Sequence, residues 1–145
     1  MKYTHKAFVR WDDLDAFGHV NNAKYLTYAQ EARFEWGYSQ FAENKEGSVL
    51  IEMVVARGEV DYLLPITDGG SFYDLNLWVE SIGNSSFVMG YEVAKGAVVY
   101  AKMKTVQVMI DLGSRKSRPI NETKNPPSLD SCRYYLWNFI CYRRV

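Results

Sequence analysis

The apolar residues of this chain change their period once. From Asn22 to about Phe41 they recur at helical spacing, at Tyr25, Tyr28 with its neighbour Ala29, Ala32, Trp36 and Phe41, with no proline in the run. That spacing lines one face of a 3.6-residue repeat, so it predicts one long, largely buried helix with Asn21 or Asn22 as its cap. Beyond Gly47 the period falls to two. A helix and the strands that follow it then have to share one core, which restricts the chain to a helix packed on a sheet.

The strands can be counted from the alternation. Residues 3 to 11 set His5, Ala7 and Val9 against Lys6, Phe8 and Arg10, and predict a strand ahead of the helix. Residues 49 to 63 are rich in Val, Ile and Leu. Residues 72 to 82 alternate Tyr73, Leu75, Leu77 and Val79 with Asp74 and Asn76, and Ser81-Ile82-Gly83-Asn84 reads as a hairpin turn. Phe87, Met89, Tyr91 and Val93 carry the next strand, Lys95-Gly96 turns the chain, and residues 97 to 110 carry another β-branched run. The order predicts an α+β fold, an antiparallel sheet of about five strands wrapped around one long central helix.

Composition narrows the function classes. With 145 residues, 48% of them hydrophobic and 15% aromatic, the chain can fill the core of one domain. Seventeen Lys and Arg balance seventeen Asp and Glu. That balance leaves no net positive field, and nucleic acid and anionic membranes are not expected partners. The start, MKYTHKAFVRW, lacks a signal-type apolar core, and no run approaches the ~20 apolar residues of a membrane helix, so a soluble, cytoplasmic protein is expected. Cys132 and Cys141 form neither a CxxC pair nor part of a zinc cluster and read as structural or incidental thiols. No metal site and no cofactor are expected.

Chemistry concentrates in residues 10 to 33, RWDDLDAFGHVNNAKYLTYAQEAR, where three carboxylates, a glycine, a histidine and two asparagines precede the helix start. This segment resembles the signature of the 4-hydroxybenzoyl-CoA thioesterase family of hot-dog proteins. VARGEVDYLLPI at 55 to 66, IGNSSFVMGYEV at 82 to 93 and TVQVMIDLGSRKSRPI at 105 to 120 look like later segments of the same family, so the resemblance spans roughly residues 5 to 120. It implies hydrolysis of an acyl-CoA thioester to free acid and CoA, with Asp15 attacking the carbonyl or activating the water that does. It also implies that the Asn22 amide polarises the thioester oxygen, and that active sites lie at the subunit interface of a homodimer or homotetramer. Gly18, Asn21, Tyr25, Ser85, Ser86 and Phe87 match positions near the family's ligand groove, and coenzyme A enters as part of the substrate.

The residues have their own physical readings. A helix N-terminus favours negative charge and offers unpaired amides, which suits a carboxylate at Asp15 and an oxyanion donor at Asn22. The plain alternative is that Asp15 closes a loop or caps the helix. Asp13 reads as a support for the loop or for the substrate. His19 suits a general acid or a group orienting the carbonyl, and equally a satisfied hydrogen-bonding residue. Gly18 suits a sharp turn. Glu31 and Arg33 match the family's helix, where a glutamate is sometimes the catalyst, but charged residues there are commonly paired or solvated. Ser85 and Ser86 also fit ordinary turn chemistry. Arg115, Lys116 and Arg118 are candidates for the CoA phosphates and also read as a solvated turn. No GxSxG elbow is present, which counts against an α/β-hydrolase; a thiolate leaves readily without a metal.

After Ile120 the resemblance ends. Pro126-Pro127 breaks any helix, and Tyr134, Tyr135, Leu136, Trp137, Phe139 and Ile140 form an aromatic tail, residues 121–145, suited to packing on residues 1–120, the single thioesterase-like domain, or between subunits. Two further functions remain open on sequence alone: a noncatalytic acyl-binding or protein-interaction module, and an enoyl-thioester hydratase, which needs an Asp and His pair around a hydration site.

Overall fold

A computed structural model of the chain describes residues 2–44 and 52–120, the side chains of 39–44 excepted. In chain order these form β1 (Tyr3–Val9), a 3-10 turn (Trp11–Asp13), α1 (Asn22–Asn44), β2 (Met53–Tyr62), β3 (Ser71–Ile82), β4 (Ser86–Lys95) and β5 (Val98–Met109). The strands make one sheet in the order β1-β3-β4-β5-β2, antiparallel at every pairing. The expected strand at 49–63 is seen from Met53 onward, and residues 45–51 and the tail at 121–145 lie outside the described residues.

Alternation decides which face of each strand is buried. Ala7 and Val9 of β1, Tyr73, Leu75, Leu77 and Val79 of β3, Phe87, Met89, Tyr91 and Val93 of β4, and Ala101, Met103 and Met109 of β5 all point into one core. Helix α1 covers that face with Tyr25, Tyr28, Ala29, Ala32 and Trp36, and packs on β1 and β3. Each large apolar side chain removed from water there contributes about 1.5–3 kcal/mol. The small residues Ala29 and Ala32, both fully buried, let the helix axis approach the sheet closely.

Strand β2 differs. It hydrogen-bonds to β5 on one side, and most of its residues are exposed, Val54 and Val55 among them. It is an edge strand. Because β1 and β2 occupy opposite edges of the sheet, α1 carries the chain across one face from edge to edge. The helix therefore begins at the end of the sheet where β1 and β2 finish and β3 starts. Tyr62, the last residue of β2, closes that corner: its hydroxyl donates to the Asn22 carbonyl at 3.0 Å, and its ring meets the Tyr25 ring edge-on at 5.1 Å.

One close approach constrains β4. Trp78 pairs across strands with Gly90 and lies over it, and a Cβ on Gly90 would come within 2.5 Å of the indole. Lys2 Nζ lies over the Trp78 ring, 4.6 Å from its centroid. Gly90→Ala is expected to push the indole out of place and to cost roughly 1–3 kcal/mol. Urea unfolding of the variant beside the wild type measures this, and an unchanged midpoint contradicts it.

Candidate active site

The chain between β1 and α1 is a hook. After the 3-10 turn, Leu14 and Val20 form an antiparallel bridge, the Val20 N–H donates to the Ile66 carbonyl at 2.8 Å, and the Asn21 N–H donates to the Asp13 carbonyl at 2.8 Å. Residues 15–19 form the tip. The Asp15 N–H donates to the His19 carbonyl at 2.7 Å and the Gly18 N–H to the Asp15 carbonyl at 3.0 Å. Gly18 takes φ +71° with nothing within 4 Å of where a Cβ would stand, so the glycine answers to backbone conformation rather than to crowding.

Asp15 faces into this tip with one oxygen. Its Oδ1 accepts from the Phe17 N–H at 2.8 Å and the His19 N–H at 3.1 Å. Among the described residues nothing donates to Oδ2. The carboxylate is thus oriented by two amides and keeps one oxygen available. His19 contributes its backbone to this arrangement, and its side chain is exposed.

The helix start is also partly filled. Asn21 is the cap: its Oδ1 accepts from the Ala23 N–H at 3.0 Å and its carbonyl from the Lys24 N–H at 2.9 Å. Among the described residues nothing accepts from the Asn22 N–H. Of the first three amides past the cap, that one alone is left for a ligand, at the positive end of the helix dipole.

Asp13, fully buried, anchors the hook. Its carboxylate accepts from the Arg10 N–H at 3.0 Å, from Arg10 Nη2 at 3.1 Å and from the Tyr28 hydroxyl at 2.8 Å, and it pairs with Lys24 Nζ at 3.0 Å. Burial by itself pushes this carboxyl upward in pKa, but the Arg10 side chain and amide, Tyr28 and Lys24 outweigh it and hold the group well below the usual carboxylate range. Its role is structural, as expected from its position, and the partners Arg10, Lys24 and Tyr28 are what the sequence reading missed. Their signal was faint: three polar groups near a carboxylate look like any charged turn until the carboxylate is known to be buried.

Other candidates are not gathered here. Ser85 and Ser86 sit at the β3–β4 turn, and the twelve residues of β3 separate that end of the sheet from the hook by roughly 35 Å. Phe87 is buried in the core, and Tyr25 packs beneath the helix start against Tyr28 and Tyr62. Glu31 is exposed. Arg115 and Lys116 are exposed at the same far end, while Arg118 pairs with Glu52. Among the described residues, no three His, Cys, Asp or Glu side chains are grouped to hold a metal ion, and no helix is long and apolar enough to cross a membrane.

Residues 9–127 match the Thioesterase-like superfamily. The chain belongs to that family. By membership it is a hydrolase of the thioesterase type, and its five-stranded antiparallel sheet with a helix is the family's hot-dog fold. Among its relatives is a 1,4-dihydroxy-2-naphthoyl-CoA hydrolase from Nostoc punctiforme, 29% identical over 83% of this chain and 82% of that protein. A thioesterase from Thermus thermophilus, solved with coenzyme A and zinc, is 31% identical with TM-score 0.69, covering 92% of this chain and 94% of its own. A predicted thioesterase from Bacillus stearothermophilus aligns at TM-score 0.76 and 25% identity, covering 96% of each chain.

This thioesterase carries a second polar feature, away from the hook. A cleft of about 190 Å³ opens between α1 and β2 and is lined by Gln30, Arg33, Phe34, Met53, Val55 and Gln107. Arg33, expected to be paired at an interface or solvated, is buried in a single copy of the chain at 8% exposure, with Nη1 donating to the Tyr91 hydroxyl at 3.1 Å. Tyr91 in turn meets Thr105 Oγ1 at 2.9 Å, and Gln107 Nε2 donates to the same Oγ1 at 2.6 Å.

The Asp13 cluster has a pH signature. A carboxyl whose pKa is depressed on folding stabilises the fold fully above its unfolded value, near 3.9, and that contribution drains away as pH falls below it. Asp13→Asn is therefore expected to cost roughly 3 kcal/mol at pH 7, and to remove much of the loss of stability that the wild type shows as pH is lowered from about 5 toward 2. Thermal melts of both proteins across that range check it; parallel curves contradict it.

Proposed function

We propose that this thioesterase hydrolyses acyl-CoA thioesters, with Asp15 as the catalytic carboxylate and the Asn22 N–H as the donor to the carbonyl oxygen. The observation that carries the reading is a carboxylate held by two backbone amides with one oxygen open, on the hook that leads directly into a helix whose first amide is unfilled. An oriented base or nucleophile beside a preorganised oxyanion donor is what thioester cleavage requires.

In the general-base form, Asp15 takes a proton from water, and the hydroxide attacks the thioester carbon. The oxyanion rests on the Asn22 N–H, the C–S bond breaks, and the CoA thiolate recovers the proton. In the nucleophilic form, an Asp15 oxygen attacks the carbon and expels CoA thiolate, and water then hydrolyses the mixed anhydride, freeing the acid and Asp15. Either route needs no cofactor and no metal. In this reading the His19 side chain, exposed at the hook tip, orients the incoming carbonyl.

The reading extends to a homodimer built through β2, with a tetramer as its doubled form. Support comes from the unpaired side of that edge strand and from the apolar side chains exposed along it and on α1, including Leu26, Phe34, Val55, Leu63 and Leu64. A two-fold axis beside an antiparallel edge sets the Met53 end of one protomer next to the Tyr62 end of its partner. The hook of one protomer then meets the far end of the other, where Ser85, Ser86 and the basic turn lie. CoA thioesters as substrates also favour a cytoplasmic setting. Sedimentation is expected to return at least two chains of 16.8 kDa each, and a monomer at micromolar concentration contradicts the shared site.

Thiol release from a panel of aliphatic, hydroxyaryl and carboxylate-bearing acyl-CoAs, measured for wild type and Asp15→Asn, tests the chemistry. The wild type is expected to release CoA and the variant to lose at least a hundredfold in kcat while keeping the wild-type melting curve. A folded variant with undiminished rate removes Asp15 from the mechanism. An enoyl-CoA in the same panel reports hydration if that is the reaction instead.

A further inference from the structure

We infer that the α1–β2 cleft receives the far end of the acyl group, and that Arg33 selects acyl groups ending in a carboxylate. The inference rests on the thioesterase reading and names the substrate class for it.

The electrostatics come first. A guanidinium keeps its proton in proteins and presents five N–H donors in a planar fork. Buried charges are ordinarily paired, because an uncompensated one costs several kcal/mol. Arg33 is buried, yet its one hydrogen bond among the described residues goes to a neutral tyrosine hydroxyl. The nearby carboxylates are engaged elsewhere: Glu35 by Tyr3 and His5, Glu52 by Arg118. No described residue supplies Arg33 with an anion, and the side chain lines a cleft open to solvent.

The shape of that cleft suits an acyl chain. Phe34, Met53 and Val55 make apolar walls, and the polar groups converge at Arg33, Gln30 and Gln107. Behind them Tyr91, Thr105 and Gln107 are all buried and hydrogen-bonded to one another, so the guanidinium is held before any ligand arrives. A carboxylate would take two parallel N–H bonds from the fork, which a neutral chain end cannot, and would neutralise the charge, which a ring hydroxyl cannot.

Reach fits the dimer. Arg33 follows Asn22 by eleven residues, about three turns and about 16 Å along the same helix face. Within one protomer Leu26 stands between the two on that helix face, its Cδ atoms against Gly58 of β2. Antiparallel β2 edges instead bring the cleft of one protomer beside the hook of the other, so the acyl chain runs from the Asp15 loop of one protomer into the Arg33 cleft of its partner.

The experiment compares kcat/KM for glutaryl-, adipyl- and suberyl-CoA with neutral isosteres in which a branched methyl end replaces the carboxylate. For at least one chain length the wild type is expected to favour the carboxylate about tenfold or more, and Arg33→Met to bring that ratio close to one. The ratio is internal to each protein, so a partly unfolded variant does not distort it. A wild-type ratio of one or below at every length, or a ratio that survives in Arg33→Met, overturns the inference. Co-expressed Asp15→Asn and Arg33→Met chains should regain carboxylate-selective hydrolysis in mixed dimers, and no recovery overturns the shared route. If no thioester of any kind is hydrolysed, the reading of Asp15 falls, and calorimetry with the non-hydrolysable ketone analogues of the same three CoAs decides the inference. About tenfold tighter binding by wild type than by Arg33→Met for at least one of them upholds it, and equal affinities for all three overturn it.

Discussion

The buried Asp13 carboxylate is the interaction on which the working end of this molecule depends. It ties the end of β1 through Arg10, the first turns of α1 through Lys24 and Tyr28, and, through its own carbonyl, the amide of Asn21. Three segments that meet at one corner of the sheet are fixed to a single point. A carboxylate without solvent is tolerated only when its lone pairs are filled by donors of opposite charge, and here the donors come from both sides of the hook. The hook between them is left with little freedom, although its tip is exposed.

In the proposed mechanism that division separates holding from reacting. Asp13 is saturated with partners, whereas Asp15, two residues on, makes two bonds to one oxygen and leaves the other open. The helix start repeats the pattern, with Asn21 satisfying the amide of Ala23 while that of Asn22 stays vacant. Neighbouring residues of the same type are thus filled to different degrees, decided by how many hydrogen-bond partners the fold supplies to each. The Arg33 cleft shows the same economy at the other end of β2: one guanidinium N–H goes to Tyr91, itself bonded to Thr105, and no described residue supplies an anion.

The length of the sheet is the reason the proposed sites draw on two copies. Hook and cleft lie at opposite ends of β2, and β3 carries the β3–β4 turn just as far from the hook. No bending of a five-stranded sheet brings its ends together, but a two-fold axis reverses one copy against the other. An edge strand exposed on both faces is poorly suited to standing alone and well suited to that pairing.

Much of this was legible in the chain. The single switch of apolar period set out one helix and the strands after it, because a helix and a strand bury their side chains at spacings that do not interconvert. The alternation of Tyr73, Leu75, Leu77 and Val79, and of Phe87, Met89, Tyr91 and Val93, named the inward face correctly. The segment from Arg10 to Arg33 pointed to the family, and the glycine in it to a turn that takes positive φ. What the linear pattern left open was which polar groups end up without water. Asp13 and Arg33 read as ordinary charges in a turn and on a helix, and only the packing of α1 onto the sheet decided that both are buried, one with its counter-ions and one without any in view. Burial is a property of the whole surface that closes over a residue, summed from segments distant in sequence, and local spacing does not contain it.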